Sequence, residues 1–147
     1  MLAHFLALGD LIIGRVNAAM PGQFRLVAHA ADLAGVKDSA QVTPGCHVLY
    51  VGSQPGAELR YSSSVVWQQD WLTVVVVRSA VAPKQLTGAV AQAGPLVGGL
   101  VRALAGWQPA DGVEPLMPVA PGVAPLITEV GTLYIPLRWR ALIKQWT

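Results

Sequence analysis

Histidine and cysteine are the residue types here best able to ligate a metal or act as nucleophiles, and they are few. The histidines His4, His29 and His47 form neither the HxH nor the HExxH pattern of a zinc site. The single cysteine, Cys46, excludes a disulfide framework and a cysteine-only metal site. Cys46 and His47 are neighbours, but successive side chains of a strand point to opposite faces, so they do not form a nucleophile–base pair. We expect a buried thiol beside a half-exposed imidazole.

Other sequence patterns of catalysis lack the context that their chemistry needs. The glycines of 94–99 (GPLVGG) are not followed by Lys-Ser/Thr and do not follow a strand directly, which excludes a phosphate-binding P-loop. The serines at 62–64 lack the glycine-flanked elbow of a hydrolase. Asp111 and Glu114 lie close together, but a proline-rich segment does not hold two carboxylates rigidly. The sequence therefore predicts no catalytic residue, no cofactor and no metal site.

The composition is short of charge. Charged residues make up 12% of the 147 residues, about half the usual share, and ten Lys+Arg against eight Asp+Glu give a net charge of +2. The 53% of hydrophobic residues excludes intrinsic disorder, and the near-neutral charge argues against a dedicated DNA or RNA binder. A small domain normally covers its surface with charge, so we expect other protein, or lipid, to cover this one.

Lipid is the weaker alternative. The longest uncharged apolar stretch, 85–101, is shorter than the roughly 20 residues that span a bilayer, and it contains Pro95, four glycines and two glutamines. The N-terminal segment lacks a positively charged region, and Asp10 interrupts its apolar run, which is unlike a signal peptide. We expect a soluble subunit of an assembly, without a membrane partner.

Hydrophobic spacing predicts a single α+β (α/β) domain over 1–147, in which two main helices pack on a small, mostly antiparallel sheet. The predicted elements are a helix over 2–18, strands over 24–30 and 46–51, a helical turn at 31–36, a strand over 63–78, a helix after Pro83, a Pro/Gly-rich loop or arm over about 107–124 and a strand over 132–142. Pro95 should kink or split the second helix, and its glycines should admit another backbone closely. Pro136 should place the last strand at an edge or at a bulge.

Two apolar features are candidate interfaces between subunits. Trp67 and Trp71 lie four residues apart on the 63–78 strand and share a face, where they are either core residues or binding anchors. The arm carries an apolar cluster that includes Leu116 and Met117.

The last strand adds a charged candidate. Arg138 and Arg140 lie on the face opposite its apolar residues, with Lys144 beyond and almost no acid nearby in the sequence. The alternatives are a solvated basic edge, a contact with an acidic partner subunit, or DNA passing nearby.

The order of these features resembles the tail terminator (tail-completion) proteins of long-tailed bacteriophages, particularly the Mu-like branch. The resemblance covers roughly residues 2–142 and rests on the N-terminal helix, WQQDWLTVVVVR at 67–78, AGPLVGGLVRALAGW at 93–107, VEPL at 113–116 and YIPLRW at 134–139. It implies an α/β subunit of a hexameric ring that docks on the head-proximal end of the tail tube. Such a ring stops tube polymerisation and offers a surface to head-completion proteins, and the family has no catalytic residues to transfer.

The resemblance and the composition together predict a structural, non-enzymatic virion protein at the head–tail interface, assembled in the host cytoplasm. Expected partners are further copies of the chain, the tail tube protein and a head-completion or connector protein, with channel DNA nearby but not specifically bound. The candidate interface residues are Trp67, Trp71, Leu116, Met117, Arg138 and Arg140. The alternatives are another phage head–tail connector or tail/baseplate subunit, a membrane-associated protein, and a small-molecule enzyme.

Overall fold

The structure, a computed structural model, describes residues 2–38, 42–56, 66–78, 86–128 and 130–144. Within these ranges the elements are α1 (Leu8–Ala19), β1 (Leu26–His29), α2 (Leu33–Asp38), β2 (Gly45–Pro55), β3 (Trp67–Arg78), α3 (Leu86–Leu104), β4 (Met117–Val119), β5 (Leu126–Ile127) and β6 (Thr132–Ile143). They form a mixed, open sheet with helices, which confirms the predicted α+β class.

The two long strands β3 and β6 are the centre of the sheet. They pair antiparallel along their whole length, from Trp67 opposite Ile143 to Arg78 opposite Thr132. The strand order is β1-β2-β3-β6-β4, in which β1 runs parallel to β2 and the other pairs are antiparallel. The short strands β4 and β5 pair with opposite ends of β6, on the side away from β3.

Helices α1 and α3 cover one face of the sheet. Because strand side chains alternate between faces, Trp71, Val75 and Val77 of β3 all point into this core, as the period of two predicts. Arg15 of α1 joins the two helices: its Nε donates to the Ala103 carbonyl oxygen at 2.9 Å. This cluster is the main hydrophobic core, to which α1 contributes Leu8, Ile12 and Val16, α3 contributes Leu100 and Leu104, and β6 contributes Leu133, Trp139 and Ile143.

Within the described ranges, the opposite face is covered only at one end. There α2 packs over a smaller buried cluster, formed by Val36, Leu49, Leu72, Val74 and Val76. Strand β3 is therefore buried on both faces along its second half, as the apolar run of its valines predicts. Toward residue 67 the apolar cover ends, and this face of β3 carries Asp70 and Gln68 instead.

Helix α1 is shorter than predicted. It begins at Leu8, and residues 3–7 form turns in which the Ala7 N–H donates to the His4 carbonyl oxygen. Leu8 is fully buried, and Leu2 and Ala7 before it are buried as well, whereas Leu6 is exposed. Leu2 and Ala7 therefore bury their surface from turns. Hydrophobic spacing alone does not distinguish such turns from a helix.

Helix α3 is not split at Pro95, which leaves a kink as the remaining part of the prediction. It runs without interruption from Leu86 to Leu104. Pro95 and Ala91, whose carbonyl loses its helical partner, are both exposed, so water can satisfy that carbonyl. Of the predicted approach points, Gly99 packs against the Met20 side chain, whereas no atom comes near the position of a Cβ at Gly94.

The Pro/Gly-rich segment 107–124 packs on the chain's own sheet. Strand β4 pairs with residues 138–140 of β6, the Glu114 N–H donates to the Leu142 carbonyl oxygen, and the Lys144 N–H donates to the Gly112 carbonyl oxygen. These bonds give the segment a fixed place along the outer side of β6.

Strand β6 is not a free edge strand, because short segments pair with parts of its outer side. Its outer side is paired at 133–134 by β5 and at 138–140 by β4, and Pro136 lies in the gap between them. A residue without an N–H costs little at a position where no strand pairs on that side. The proline therefore marks a local gap in pairing rather than the edge of the sheet.

Candidate functional site

The most concentrated charge in the described residues lies on the uncovered end of the second sheet face. Asp70 of β3 stands directly opposite Arg140 of β6, and Arg138 stands opposite the next residue on that face, Leu72. Directly opposed and diagonal side chains on one face of an antiparallel pair are within reach of each other. The full-length pairing of β3 and β6 therefore brings one carboxylate between two guanidinium groups.

The Asp70 carboxylate accepts hydrogen bonds from both arginines. Arg138 donates from Nε at 2.9 Å and approaches with Nη2 at 2.7 Å, both to Oδ2. Arg140 donates from Nε to Oδ1 and from Nη2 to Oδ2, each at 3.0 Å. The Asp70 side chain is only 4% exposed, whereas those of Arg138 and Arg140 are 27% and 31% exposed.

The electrostatics of the cluster favour the ionised carboxylate. Burial raises the pKa of Asp70, but the hydrogen bonds from Arg140 and Arg138 outweigh it, so the pKa lies below its ordinary value. The hydrogen bond to Asp70 likewise raises the pKa of Arg140. One carboxylate against two guanidiniums leaves an excess charge of +1. The sequence places almost no acid near these arginines, and the pairing of β3 with β6 brings them Asp70 from a distant part of the chain.

The cluster forms the floor of an open depression of about 230 Å³. Gln68 also lines this depression. With its amide oriented to satisfy its hydrogen bonds, the Gln68 side-chain oxygen accepts from Arg140 Nε at 3.1 Å and from Gln54 Nε2 at 2.9 Å. The rim comes from β2, where the register with β3 shifts between Tyr50 and Gly52. Residues Val51, Gly52, Ser53 and Gln54 of β2 line it.

Lys144 does not belong to this cluster. Its Nζ pairs with the Glu114 carboxylate at the far end of β6. Lys144, noted in the sequence as lying beyond the two arginines, therefore belongs to a separate ion pair.

The two tryptophans occupy different environments. Trp71 is 3% exposed, and its Nε1 donates to Gln69 Oε1 at 2.8 Å, which places it in the core. Trp67 is half-buried and packs edge-on against Phe5, with ring centroids 5.5 Å apart. Of the two, Trp67 keeps surface for a partner, and its place in a subunit interface remains a prediction.

The two candidate interface residues of the 107–124 segment also differ in exposure. Leu116 is buried, and its backbone bonds with Gly106 and Trp107 close the loop after α3. Met117, at the start of β4, is 45% exposed. Met117 therefore presents apolar surface, whereas Leu116 supports the fold.

Cys46 and His47 lie on opposite faces, as their adjacency on a strand predicts. Burial in the helix-covered core raises the pKa of the Cys46 thiol to about 12. The imidazole is buried rather than half-exposed, and burial lowers its pKa. Its Nε2 atom has no hydrogen-bond partner among the described residues. No group of three or more potential metal ligands occurs within the described ranges.

A second, apolar groove of about 270 Å³ lies at the other end of the same face, between α2 and the segment before β5. Val74, Tyr134 and Pro136 form part of its wall. In the part of the chain that the structure describes, no helix is both long and apolar enough to cross a membrane.

The fold resembles that of a solved structure, and the sequence matches a protein family. Among solved structures, a chain of the "Virion of native gene transfer agent (GTA) particle" shares the fold, with a TM-score of 0.51 and 15% sequence identity over 94% of this chain and 95% of that chain. The family described as "Phage tail terminator protein" matches residues 1–143. The chain therefore belongs to the phage tail terminator family and is a structural protein of the virion tail. No curated protein matches it. The match confirms the resemblance at family level, and the Mu-like branch remains a prediction.

Proposed function

We propose that the protein forms a ring of six subunits that caps the head-proximal end of a phage tail tube. The ring stops tube polymerisation and offers a docking surface to head-completion proteins. The observation that carries this proposal is the match of the tail terminator family to residues 1–143, which is nearly the whole chain.

The distribution of apolar surface supports an assembling subunit. Exposed apolar side chains occur on several sides of the fold: on the turns before α1, on the outer side of α3, and beside β6. A ring needs two different lateral surfaces on each subunit, because its contacts are head-to-tail, and a cap needs axial surfaces as well. The exposed residues that serve this argument are Leu6, Val90, Val101, Met117, Leu126 and Ile127.

The proposed partners follow from this position. They are other copies of the chain, the tail tube protein, and a head-completion or connector protein. DNA passes through the ring without specific binding, and the protein assembles in the host cytoplasm before it becomes part of the virion. Its role is structural, without catalysis, cofactor or metal.

The experiment is a measurement of assembly, first alone and then with tube protein. Light scattering after size exclusion gives the mass, and negative-stain images show whether a ring with a central hole forms. Tube protein of the same phage is then polymerised with and without the labelled chain. We expect shorter tubes that carry label at one end.

Two results would contradict the proposal. A monomer that leaves tube length unchanged and does not bind tubes would exclude a tube cap. Label at the end opposite the head in complete tails would instead indicate a baseplate subunit.

A further inference from the structure

The Asp70–Arg138–Arg140 cluster is not fully neutralised. Asp70 is buried and its one negative charge is shared between both arginines, whereas the side chains of Arg138 and Arg140 stay 27% and 31% exposed. Among the residues that the structure describes, no other carboxylate lines the depression above them. The cluster therefore presents one unpaired positive charge to solvent.

The arginines also keep hydrogen-bond donors for a second anion. Asp70 engages Nε and Nη2 of Arg138 and the same two atoms of Arg140. The Nη1 group of each guanidinium is not part of that pairing. Because Asp70 fixes both planes, these groups are held in place before a ligand arrives, which lowers the entropy lost on binding.

We propose that Arg138 and Arg140 form an anion-binding site for the side-chain carboxylate of an acidic segment on an adjoining protein subunit. Asp70 is its positioning residue, since it orients both guanidiniums from below and does not itself touch the ligand. The identity of the adjoining subunit, another copy of this chain or a neighbouring tail protein, rests on the proposed function.

The charge and shape of the site favour a carboxylate over nucleic acid. Duplex DNA binding depends on several cations that each neutralise a phosphate, whereas this depression holds an excess of one charge and the whole chain only +2. A single carboxylate matches that charge and the planar donor groups of arginine. The rim residue Val51 is 40% exposed, which adds apolar surface beside the charge, as a protein segment requires and a phosphate backbone does not.

The test measures binding of a hexaglutamate peptide to the full chain by titration calorimetry at low ionic strength. A 20-base-pair DNA duplex and inorganic phosphate serve as competing probes. We expect the peptide to bind and both other probes to bind more weakly. Binding by DNA alone, or no binding of the peptide at millimolar concentration, would overturn the inference.

Variants locate the site. Arg138→Gln and Arg140→Gln should each weaken peptide binding about tenfold, the usual loss for a charge-assisted contact. Arg78→Gln is the matched control, because it removes the same charge from an exposed position at the other end of β3 and should leave binding unchanged. Equal loss in all three variants would mean non-specific attraction and would contradict the proposal.

Asp70→Asn tests the positioning role. It keeps both arginines but removes the ion pairs that hold their planes, so the peptide should bind more weakly, and the residual binding should depend more steeply on salt because the site gains a positive charge. Unchanged or tighter binding would show that Asp70 does not position the arginines and would contradict that part of the inference. If rings still form and cap tubes while the peptide fails to bind, the inference fails and the proposed function stands.

Discussion

Asp70 is the residue whose environment differs most from what its sequence neighbours suggest. It lies in a strand that is otherwise buried and largely apolar, and burying a carboxylate is costly unless charged donors compensate it. An acid in such a strand is the signal that a cationic partner exists elsewhere. The sequence does not name the partner, because Arg138 is 68 residues away and only the register of β3 with β6 joins them.

Asp70→Asn should lower the free energy of unfolding by about 2 kcal/mol at neutral pH. The loss stays below that of a fully buried pair because both guanidiniums can turn toward water. Urea denaturation measures it, and Asp111→Asn, which removes an acid from an exposed turn, is the control and should change stability by less than about 0.5 kcal/mol. Equal stability of the two variants would contradict the role given to the ion pairs.

The same pair predicts a pH dependence. The pKa of Asp70 is lower in the folded protein than its unfolded value of about 3.9, so its contribution is complete above that value. It is lost as the pH falls through the folded pKa, where both states are protonated. The stability difference between wild type and Asp70→Asn should therefore be constant from pH 7 to pH 5 and shrink below about pH 4. A difference that persists at low pH would show that the carboxylate charge is not its cause.

At the scale of elements, packing decides which glycines matter. A Cβ at Gly9 of α1 would lie 2.7 Å from atoms of His29 and of the buried Trp71 ring, whereas a Cβ at Gly14 of the same helix would meet no atom within 4 Å. Gly9 is therefore the point where α1 comes close to the sheet, and Gly14 lies on its solvent side.

Gly9→Ala should destabilise the protein by about 1–3 kcal/mol, because the indole cannot move aside. Gly14→Ala should stabilise it by about 0.5–1 kcal/mol through the higher helix propensity of alanine. Thermal unfolding of both variants makes the comparison within one helix. If both changes had the same sign, the close approach of α1 to Trp71 would be refuted.

Local sequence patterns predicted which helices and strands form better than they predicted where each one begins and ends. The alternation of β3 gave its two faces correctly, because the period of two holds wherever a strand packs on one side. The predicted start of α1 and the predicted split of α3 were wrong, since both depend on what surrounds the residues: turns that bury Leu2, and the exposed position of Pro95. The burial of Leu116 could not be predicted from the sequence either, because it depends on where the loop after α3 folds back.

At the scale of the whole molecule, the low charge content and the exposed apolar side chains both favour a subunit whose surface is partly covered by other protein. The chain has few charged side chains for its size, and its exposed valines, leucines and Met117 offer the apolar surface that the proposed ring needs for its contacts. The candidate interface residues divide accordingly. Trp71 and Leu116 act through the fold that they stabilise, whereas Trp67, Met117 and the two arginines have surface to offer a partner.

Met117→Asp tests this division. The side chain is exposed on β4 opposite Arg140, so the new carboxylate has a cation within reach and should leave the monomer's unfolding transition within about 0.5 kcal/mol of the wild type. It should weaken assembly, because the apolar surface that a subunit contact would bury is lost. Light scattering over a range of protein concentrations measures the assembly. Leu116→Asp cannot serve here, because it buries a charge in the core and should unfold the chain.

Val130→Asp is the matched control for that experiment. It adds the same charge at an exposed position before β6, about 25 Å along the strand from the residues that pair with β4. A contact centred on β4 should therefore be weakened by Met117→Asp and retained in Val130→Asp. If both variants assemble like the wild type, β4 is not part of the interface; if both fail equally, added charge rather than position is the cause, and the prediction for Met117 is wrong.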